Sequence, residues 1–185
     1  MRSNYSPVQR RSLLGSLGIV FSAGLAGCTS ELSPNSDSKD EGESLTLPSV
    51  VTTGELPEGQ VKLLPENTVT LLNFFATWCK PCIDEMPDFR KLREEYDEET
   101  LHMVSITSEV DEELIEEFWA EHDGTWPVVT DPGLEATEKW DANTYPTNLL
   151  FNQNGEQVSG DGHGLRVRDF EGLQSKIDPL IEDTT

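Results

Sequence analysis

Apolar residues along this chain form short dense runs that alternate with amphipathic stretches, and this alternation predicts an α/β fold. The densest run, residues 68–76 with the sequence TVTLLNFFA, is typical of a strand buried on both faces of a sheet. Residues 81–96 instead carry apolar residues at helical spacing, which predicts an amphipathic helix with a kink at Pro87. The pattern therefore places a buried strand directly before a helix.

The remaining pattern predicts further strands and helices around this strand–helix unit. Strands are expected at residues 101–107, 128–129, 147–151 and 157–158, and helices at residues 111–122, 134–140 and 167–181. Two short extended stretches, residues 47–53 and 60–64, are separated by Gly and Pro signals and suggest a hairpin, and Asn154-Gly155 is a second hairpin signal. The predicted order β-β-β-α-β-α-β-α-β-β-α indicates a three-layer α/β/α sandwich with a mixed central sheet and an N-terminal β-hairpin extension.

Charge narrows the classes of function that remain. The chain of 185 residues carries 35 acidic and 13 basic residues, for a formal net charge of −22. Its apolar runs are dense enough for a core, so we expect one folded domain with an acidic surface. Such a surface repels nucleic acid and excludes binding to anionic membranes through a basic patch. Because salt screens the self-repulsion of an acidic surface, the composition also predicts a halophilic source.

The first 27 residues have the pattern of an export signal. Arg10 and Arg11 precede an apolar stretch, residues 13–27, whose 15 residues are fewer than the ~20 that span a bilayer. A charged start followed by an apolar middle is typical of a secretory signal, and the paired arginines favour the twin-arginine route for folded proteins. An ordinary export signal that happens to contain two arginines is the alternative.

Cys28 closes this segment within the sequence Leu-Ala-Gly-Cys, residues 25–28, which resembles the lipobox of prokaryotic lipoproteins. The resemblance implies that Cys28 becomes the first mature residue and receives lipid, which anchors the protein to the membrane. The alternative is an idle cysteine in a signal peptide that is cut nearby. Residues 28–45 are rich in Ser, Asp and Glu and are expected to form a flexible acidic tether. Residues 46–185 remain as the folded domain.

Cys79 and Cys82 form a Cys-Lys-Pro-Cys pair between the buried strand and the following helix. A helix N-terminus carries partial positive charge and free N–H groups, so a thiolate there is stabilised and its pKa falls. We therefore expect Cys79 to be the exposed nucleophile and Cys82, one turn further, to be the buried resolving thiol. Pro81 suits the first helical turn, and Lys80 adds positive charge beside the thiolate.

Two other interpretations of the cysteine pair remain open. Zinc needs about four ligands, and beyond the pair the chain offers only Cys28 and three scattered histidines, His102, His122 and His163. A purely structural disulfide is the second alternative, although it does not account for the strand–helix junction or for Trp78 beside the pair. We expect a redox-active pair that requires neither a metal nor another cofactor.

The block Phe-Phe-Ala-Thr-Trp-Cys-Lys-Pro-Cys, residues 74–82, resembles the thioredoxin superfamily, and within it the membrane-anchored reductases of the TlpA/ResA type. The resemblance covers about residues 46–183 and implies a thioredoxin-like fold. It implies that Glu85 lies near the cysteines and assists proton transfer, whereas Asn73 occupies the position of a buried acid in thioredoxin itself. The Tyr145-Pro146 segment matches the cis-proline loop of the family, which faces the cysteines and positions the partner.

The same resemblance places further residues around the active site. They are Trp78, Lys80, Pro81 and Tyr145. Gly162-His163-Gly164 matches a glycine-bearing loop near the site, and an exposed turn histidine is the simpler interpretation of His163. Trp126-Pro127 matches an element before a strand, where core packing is the simpler interpretation.

Together these features predict an exported, lipid-anchored protein-disulfide oxidoreductase on the outer face of the cytoplasmic membrane. Cys79 attacks the disulfide of a partner, Cys82 resolves the mixed disulfide, and a membrane thiol-electron donor restores the dithiol. The resemblance implies extracytoplasmic protein clients, for example apocytochromes whose cysteines are reduced during cytochrome c maturation. Three alternatives stay open: a disulfide-forming oxidant, a peroxide-reducing redoxin, and a non-enzymatic chaperone or copper-delivery protein on the same fold.

Overall fold

The structure, a computed structural model, describes residues 45–50, 59–158 and 164–182. Within these ranges it contains strands β1 (Thr46–Pro48), β2 (Gln60–Lys62), β3 (Val69–Phe74), β4 (Leu101–Thr107), β5 (Val128–Thr130) and β6 (Thr147–Phe151), and helices α1 (Lys80–Glu95), α2 (Glu112–Glu121), α3 (Glu135–Lys139) and α4 (Phe170–Glu182). The predicted export signal, Cys28, His163 and nearly all of the tether lie outside the described residues. None of the helices that the structure describes has the length and apolar composition of a membrane-spanning segment.

Strand β3 lies inside a four-stranded sheet of order β5-β4-β3-β6, and every one of its residues is buried. It pairs in parallel with β4 and antiparallel with β6, while β4 pairs in parallel with β5. The sheet is therefore mixed, as the sequence predicted. The continuous apolar run of β3 reflects burial of the strand on both faces.

Helices and a hairpin cover the two faces of this sheet. On one face, apolar residues of α1, α2 and α4 pack with sheet residues such as Leu71 and Met103. On the other face, α3 and the β1–β2 hairpin pack with the alternate residues, such as Leu72 and Val104. Because neighbouring residues of a strand point to opposite faces, the alternation along β3 and β4 produces a three-layer α/β/α arrangement.

The N-terminal hairpin is confirmed by the antiparallel pairing of β1 with β2, in which Leu47 lies opposite Val61. Directly after β1, Ser49 forms a bridge with Val129 of β5. In addition, the Val50 N–H donates to the Val128 carbonyl at 3.0 Å. The hairpin extension is thus joined to the edge strand of the central sheet.

The second expected hairpin is shorter than predicted. Gln157 forms a single bridge with Phe151, and the Val158 N–H donates to the Leu150 carbonyl at 2.8 Å. The strand expected at residues 157–158 is therefore reduced to this bridge. The physical reason is that Val158 is an isolated apolar residue followed by Ser-Gly-Asp-Gly, in which Gly and Asp are residue types disfavoured in strands.

Two helices differ in detail from the sequence-based expectation. Helix α4 begins at Phe170 rather than at residue 167, because the carboxylate of Asp169 accepts the Gly172 N–H at 2.9 Å and caps the helix. Helix α1 includes Pro87 and runs from Lys80 to Glu95, one residue earlier at each end than the predicted range of 81–96. The two helices carry apolar residues onto the same face of the sheet.

Candidate active site

A disulfide joins Cys79 and Cys82 at the N-terminus of α1, with their Cα atoms 5.3 Å apart. Cys79 is the N-cap residue, and its carbonyl accepts the N–H of Cys82 at 2.9 Å and the N–H of Ile83 at 3.1 Å. The Cys79 N–H donates to the Ala76 carbonyl at 3.0 Å, which forms a tight turn between β3 and α1. The pair therefore lies at the predicted strand–helix junction, where the N–H groups of the first turn favour a thiolate.

The exposure of the two cysteines differs from the expectation. Cys79 is 5% exposed and Cys82 is 3% exposed, so both are buried in the disulfide-bonded protein. The expectation of an exposed Cys79 is therefore wrong for this redox form. The physical reason is that the disulfide ties Cys79 to the apolar cluster that contains Cys82, against which Ile83 and Tyr145 also pack.

An aromatic pair lies beside the disulfide. The Trp78 side chain is exposed (74%), and its ring meets that of Tyr145 edge to face, with centroids 6.2 Å apart. The Tyr145 hydroxyl lies 3.0 Å from the Ser108 Oγ, which fixes the outer end of the ring. The bond between Tyr145 and Pro146 is cis, as the sequence predicted. The structure thus brings Trp78 and the cis-proline loop together around the start of α1.

Lys80 contributes less to the positive charge beside the Cys79 sulfur than the sequence predicted. Its ammonium group is exposed and lies 2.8 Å from the Asp84 carboxylate, one turn further along α1. The nearest charge to Lys80 is therefore a carboxylate, and the positive charge of Lys80 is shared with it. An exposed pair of this kind is also screened by salt, so the favourable charge at the thiolate comes mainly from the helix N-terminus.

Glu85 is buried, although in so acidic a chain a helix carboxylate would ordinarily face solvent. Only 4% of the residue is exposed, and the Asn148 Nδ2 donates to its Oε2 at 3.2 Å. The Arg168 Nε lies 3.3 Å from Oε1. Burial raises the pKa of the Glu85 carboxyl to about 7, because the charged form loses its hydration, while the Asn148 hydrogen bond and the Arg168 charge oppose this rise.

A row of hydrogen bonds connects Glu85 to the interior of the sheet. The Asn73 Nδ2 donates to the Asn148 Oδ1 at 2.8 Å, and the Ser105 Oγ donates to the Asn73 Oδ1 at 3.1 Å. The Trp126 Nε1 in turn donates to the Ser105 Oγ at 2.9 Å. This geometry follows from strand register, since Asn73 lies opposite Asn148 on β6 and opposite Ser105 on β4. Each side chain from Asn148 to Trp126 is hydrogen-bonded to the next one in the row, as buried polar groups require.

The turn before Trp78 is held by a carboxylate that the sequence analysis did not identify. The backbone N–H and the Oγ1 of Thr77 each donate to the Glu109 carboxylate at 2.8 Å. The Thr107 Oγ1 donates to the same carboxylate at 3.1 Å. Glu109 follows the end of β4, so this carboxylate ties the turn carrying Trp78 to the neighbouring strand.

The sequence analysis also missed Asn148 and Ser105, which belong to the row that leads to Glu85, and Arg168, which lies beside the Glu85 Oε1. A signal existed for the first two, because each is a polar residue inside a buried apolar strand. Such a residue must find a polar partner in the core. Arg168 gave no such signal, because it belongs to a loop far from Glu85 in sequence. Among the described residues, no cluster of three or more His, Cys, Asp or Glu side chains could hold a metal ion.

This arrangement supports thiol–disulfide exchange. It combines two sulfur atoms that can form or break one bond, a helix N-terminus that stabilises a thiolate, and a buried carboxyl whose pKa lies near neutrality. A mixed sheet with the cysteine pair at the start of α1 and a cis-proline before β6 defines a thioredoxin-like fold.

Comparison with known proteins assigns the chain to a family. Residues 42–165 match the Redoxin family model, and the chain belongs to this family, within the TlpA/ResA-like part of the thioredoxin superfamily. The thiol-disulfide oxidoreductase ResA of Halalkalibacterium halodurans is 30% identical over 114 residues, which cover 62% of this chain and 65% of that protein. The thioredoxin-like protein YneN of Bacillus subtilis is 40% identical over 88 residues, which cover 46% of this chain and 51% of YneN. The chain thus spans less than two thirds of the length of these curated relatives.

A solved structure has the same fold. It is described as a putative thiol:disulfide interchange protein DsbE from Chlorobium tepidum and superposes with a TM-score of 0.62 at 25% identity. The superposition covers 74% of this chain and 92% of that protein. The likeness supports the thioredoxin-like α/β/α architecture predicted from the sequence.

Proposed function

We propose that this chain is a protein-disulfide oxidoreductase, and that it reduces disulfides of extracytoplasmic proteins. The observation that carries the proposal is the Cys79–Cys82 disulfide at the N-terminus of α1, with the buried Glu85 one turn beyond it on the same helix. The relatives support this proposal, since ResA of Halalkalibacterium halodurans is a thiol-disulfide oxidoreductase.

The reaction begins with the reduced pair. The Cys79 thiolate attacks one sulfur of the partner disulfide, so that a mixed disulfide forms and the first partner sulfur leaves as a thiolate. Cys82 then loses its proton and attacks the Cys79 sulfur. The mixed disulfide breaks, the Cys79–Cys82 disulfide forms, and the second partner sulfur leaves. Two electrons thereby pass from the cysteine pair to the partner.

Glu85 accepts the proton of Cys82 in this scheme. Residues three apart on a helix lie on one face, with Cβ atoms about 5–6 Å apart, and both Cys82 and Glu85 are buried. A pKa of about 7 suits a group that must accept and release a proton near neutral pH. The row from Asn148 to Trp126 supports this carboxyl without adding another ionisable group.

Pro146 and the aromatic pair position the partner. The backbone before the cis-proline is available to pair with an extended segment of the partner, which is a form of strand addition. The exposed Trp78 ring, held beside Tyr145, offers an apolar contact next to the disulfide. These groups bring a partner disulfide to Cys79 by backbone and apolar contacts rather than by charge.

The location of the reaction is outside the cytoplasm in this proposal. Residues 1–27 direct export, lipid on Cys28 anchors the chain to the outer face of the cytoplasmic membrane, and residues 28–45 tether the domain spanning 46–185. Electrons come from a membrane thiol donor, and apocytochromes in cytochrome c maturation are one client class. The net charge of −22 supports a halophilic source, in which salt screens the acidic surface.

Trapping tests the proposal directly. In a Cys82→Ser variant the resolving thiol is absent, so we expect a mixed disulfide between Cys79 and the natural partner to accumulate in cells. A variant with both Cys79→Ser and Cys82→Ser is the control and traps nothing. The complex is detected by non-reducing electrophoresis and its partner by mass spectrometry. If no covalent partner appears while the Cys79 thiol stays free, thiol exchange is not the function of this pair.

The direction of electron flow is decided by the reduction potential of the pair. A value of about −270 mV, as in thioredoxin, supports a reductase, whereas a value of about −120 mV, as in DsbA, indicates a disulfide-forming oxidant. Equilibration with glutathione or dithiothreitol buffers gives this number. Trapping of the mixed disulfide tests whether the pair performs thiol exchange, and the reduction potential then shows in which direction the electrons flow.

A further inference from the structure

A cleft opens beside the buried carboxyl, between the start of α1 and the residues that precede α4. Its volume is about 330 Å³, and it is lined by Pro81, Asp84, Glu85, Asp88, Arg168 and Asp169. Pro81, which lies between the two cysteines in sequence, is one of the lining residues, whereas neither cysteine lines the cleft. Among these lining residues Arg168 is the only base, and it faces four carboxylates.

The two oxygens of Glu85 have different surroundings. Oε2 accepts a hydrogen bond from Asn148, which is fixed within the sheet. Oε1 is buried and, among the described residues, accepts no hydrogen bond. The group beside it is the guanidinium of Arg168, whose Nε lies 3.3 Å away and whose side chain is 47% exposed. Oε1 therefore depends on a residue that is itself half in solvent.

We propose that Arg168 is a positioning residue of the thiol-exchange site, which holds Oε1 of Glu85 across the cleft and favours the ionised form of this carboxyl, the form that can take the Cys82 proton. The inference rests on the proposed function, in which Glu85 accepts that proton. It adds a residue from a separate loop, whose role lies in the charge state of the carboxyl rather than in contact with the sulfur atoms.

The charges around Glu85 account for this role. Asp84 and Asp88 lie on the same helix, and Asp169 faces the cleft from the segment before α4. Each of these carboxylates disfavours a further negative charge nearby, and Asp88 raises the pKa of Glu85. Lys80 and Lys91 pair with Asp84 and Asp88, whereas Arg168 is the basic residue among the lining residues that pairs with Glu85 itself. Without Arg168, a smaller fraction of Glu85 is ionised at neutral pH, so less of this carboxyl can accept the proton of Cys82.

Arg168 acts at one step of the exchange. After the mixed disulfide has formed, the Cys82 proton passes to the Glu85 carboxylate, and the Cys82 sulfur attacks Cys79. The bond from Cys79 to the partner sulfur breaks, and the partner leaves as a thiolate. The first attack by Cys79 does not require Glu85. Loss of Arg168 is therefore expected to slow partner release and to leave formation of the mixed disulfide unchanged.

The test compares Arg168→Gln with Arg166→Gln, a matched control that removes the same charge from an exposed residue two positions away. The titration of Glu85 is followed by infrared difference spectroscopy of the carboxyl band in the disulfide-bonded protein, with Glu85→Gln identifying the signal. In Arg168→Gln the proton affinity of Glu85 is expected to rise about tenfold, the lower end of the effect of a neighbouring opposite charge, because Arg168 is half exposed. Arg168→Lys restores part of the effect.

The second readout is the pH profile of partner release from a preformed mixed disulfide. Its midpoint is expected to move upward with that of Glu85 in Arg168→Gln and to stay in place in Arg166→Gln. If the Glu85 titration is the same in both variants, Arg168 does not hold the carboxyl and the inference is overturned. If the Glu85 titration moves as expected, the inference stands, and a fixed release profile then contradicts the proton-acceptor role of Glu85 in the proposed function.

Discussion

Replacement of Glu85 by Gln gives a stability signature that is independent of any partner. The substitution keeps the size of the side chain and its capacity to accept a hydrogen bond from Asn148, but it removes the titrating group. In the wild type the pKa of Glu85 rises from 4.5 to about 7 on folding, because the carboxyl is taken out of water. The folded protein therefore binds a proton that the unfolded chain releases over this interval.

The sign and size of the effect follow from linkage between proton binding and folding. Because the folded pKa lies above the unfolded value, the protonated carboxyl supports the fold fully below pH 4.5, and this support is lost as the pH rises through about 7. Each unit of pKa difference corresponds to about 1.4 kcal/mol, which gives about 3 kcal/mol in total. Between pH 4.5 and pH 8, we therefore expect Glu85→Gln to gain about 3 kcal/mol of unfolding free energy relative to the wild type.

Urea unfolding of the disulfide-bonded proteins at constant ionic strength measures this difference, because the thiols do not titrate in that form. Glu94→Gln, which removes an exposed carboxylate from the same helix, is the control for the general loss of negative charge. The quantity of interest is the difference between the two variants at each pH. If the curves of Glu85→Gln and wild type run parallel from pH 4.5 to pH 8, Glu85 has no raised pKa and the reasoning fails.

Two further predictions concern the scaffold. A Cβ atom at Gly124 would lie 2.4 Å from the indole of Trp119, so Gly124→Ala is expected to destabilise the fold by about 2 kcal/mol or more in the same urea assay. Gly133→Ala is the control and is expected to have little effect, because a Cβ atom there has its nearest neighbour at 3.6 Å. The buried carboxylate of Asp131 accepts three hydrogen bonds from the start of α3, so Asp131→Ala is expected to cost about 2–3 kcal/mol. The exposed cap Asp111 accepts one bond at 3.3 Å, and Asp111→Ala should cost clearly less; equal losses would contradict the role assigned to burial.

Much of the fold was predictable because its signals are local. The continuous apolar run of β3 and the helical spacing in α1 each follow from which faces are buried. The ends of the helices were less predictable. Val167 is apolar and packs against the core, so the apolar pattern placed the start of α4 three residues before its true start. The cap at Asp169, rather than the apolar pattern, sets the true start of the helix.

The site was only partly predictable. The cysteine pair and the cis-proline belong to short sequence motifs, so both can be recognised in the sequence. The burial of Glu85 was not visible, because one carboxylate among 35 acidic residues gives no sign of the polar partners that surround it. Asn148 and Arg168 become its neighbours only through strand register and through the loop before α4. Contacts of this kind depend on the assembled sheet and have no local pattern.

The site combines contacts that are local in sequence with contacts between distant segments, and this limits how it can be transferred to another protein. The disulfide joins residues three positions apart, whereas the hydrogen bond from Asn148 to Glu85 joins residues 63 positions apart. Transplanting residues 74–82 into another strand–helix junction would carry over sulfur chemistry alone. A useful transplant must also reproduce an antiparallel neighbour strand with Asn at the matching register position and an arginine approaching from a third element. The smallest unit that would carry over this site is therefore a sheet with its loops rather than a peptide motif.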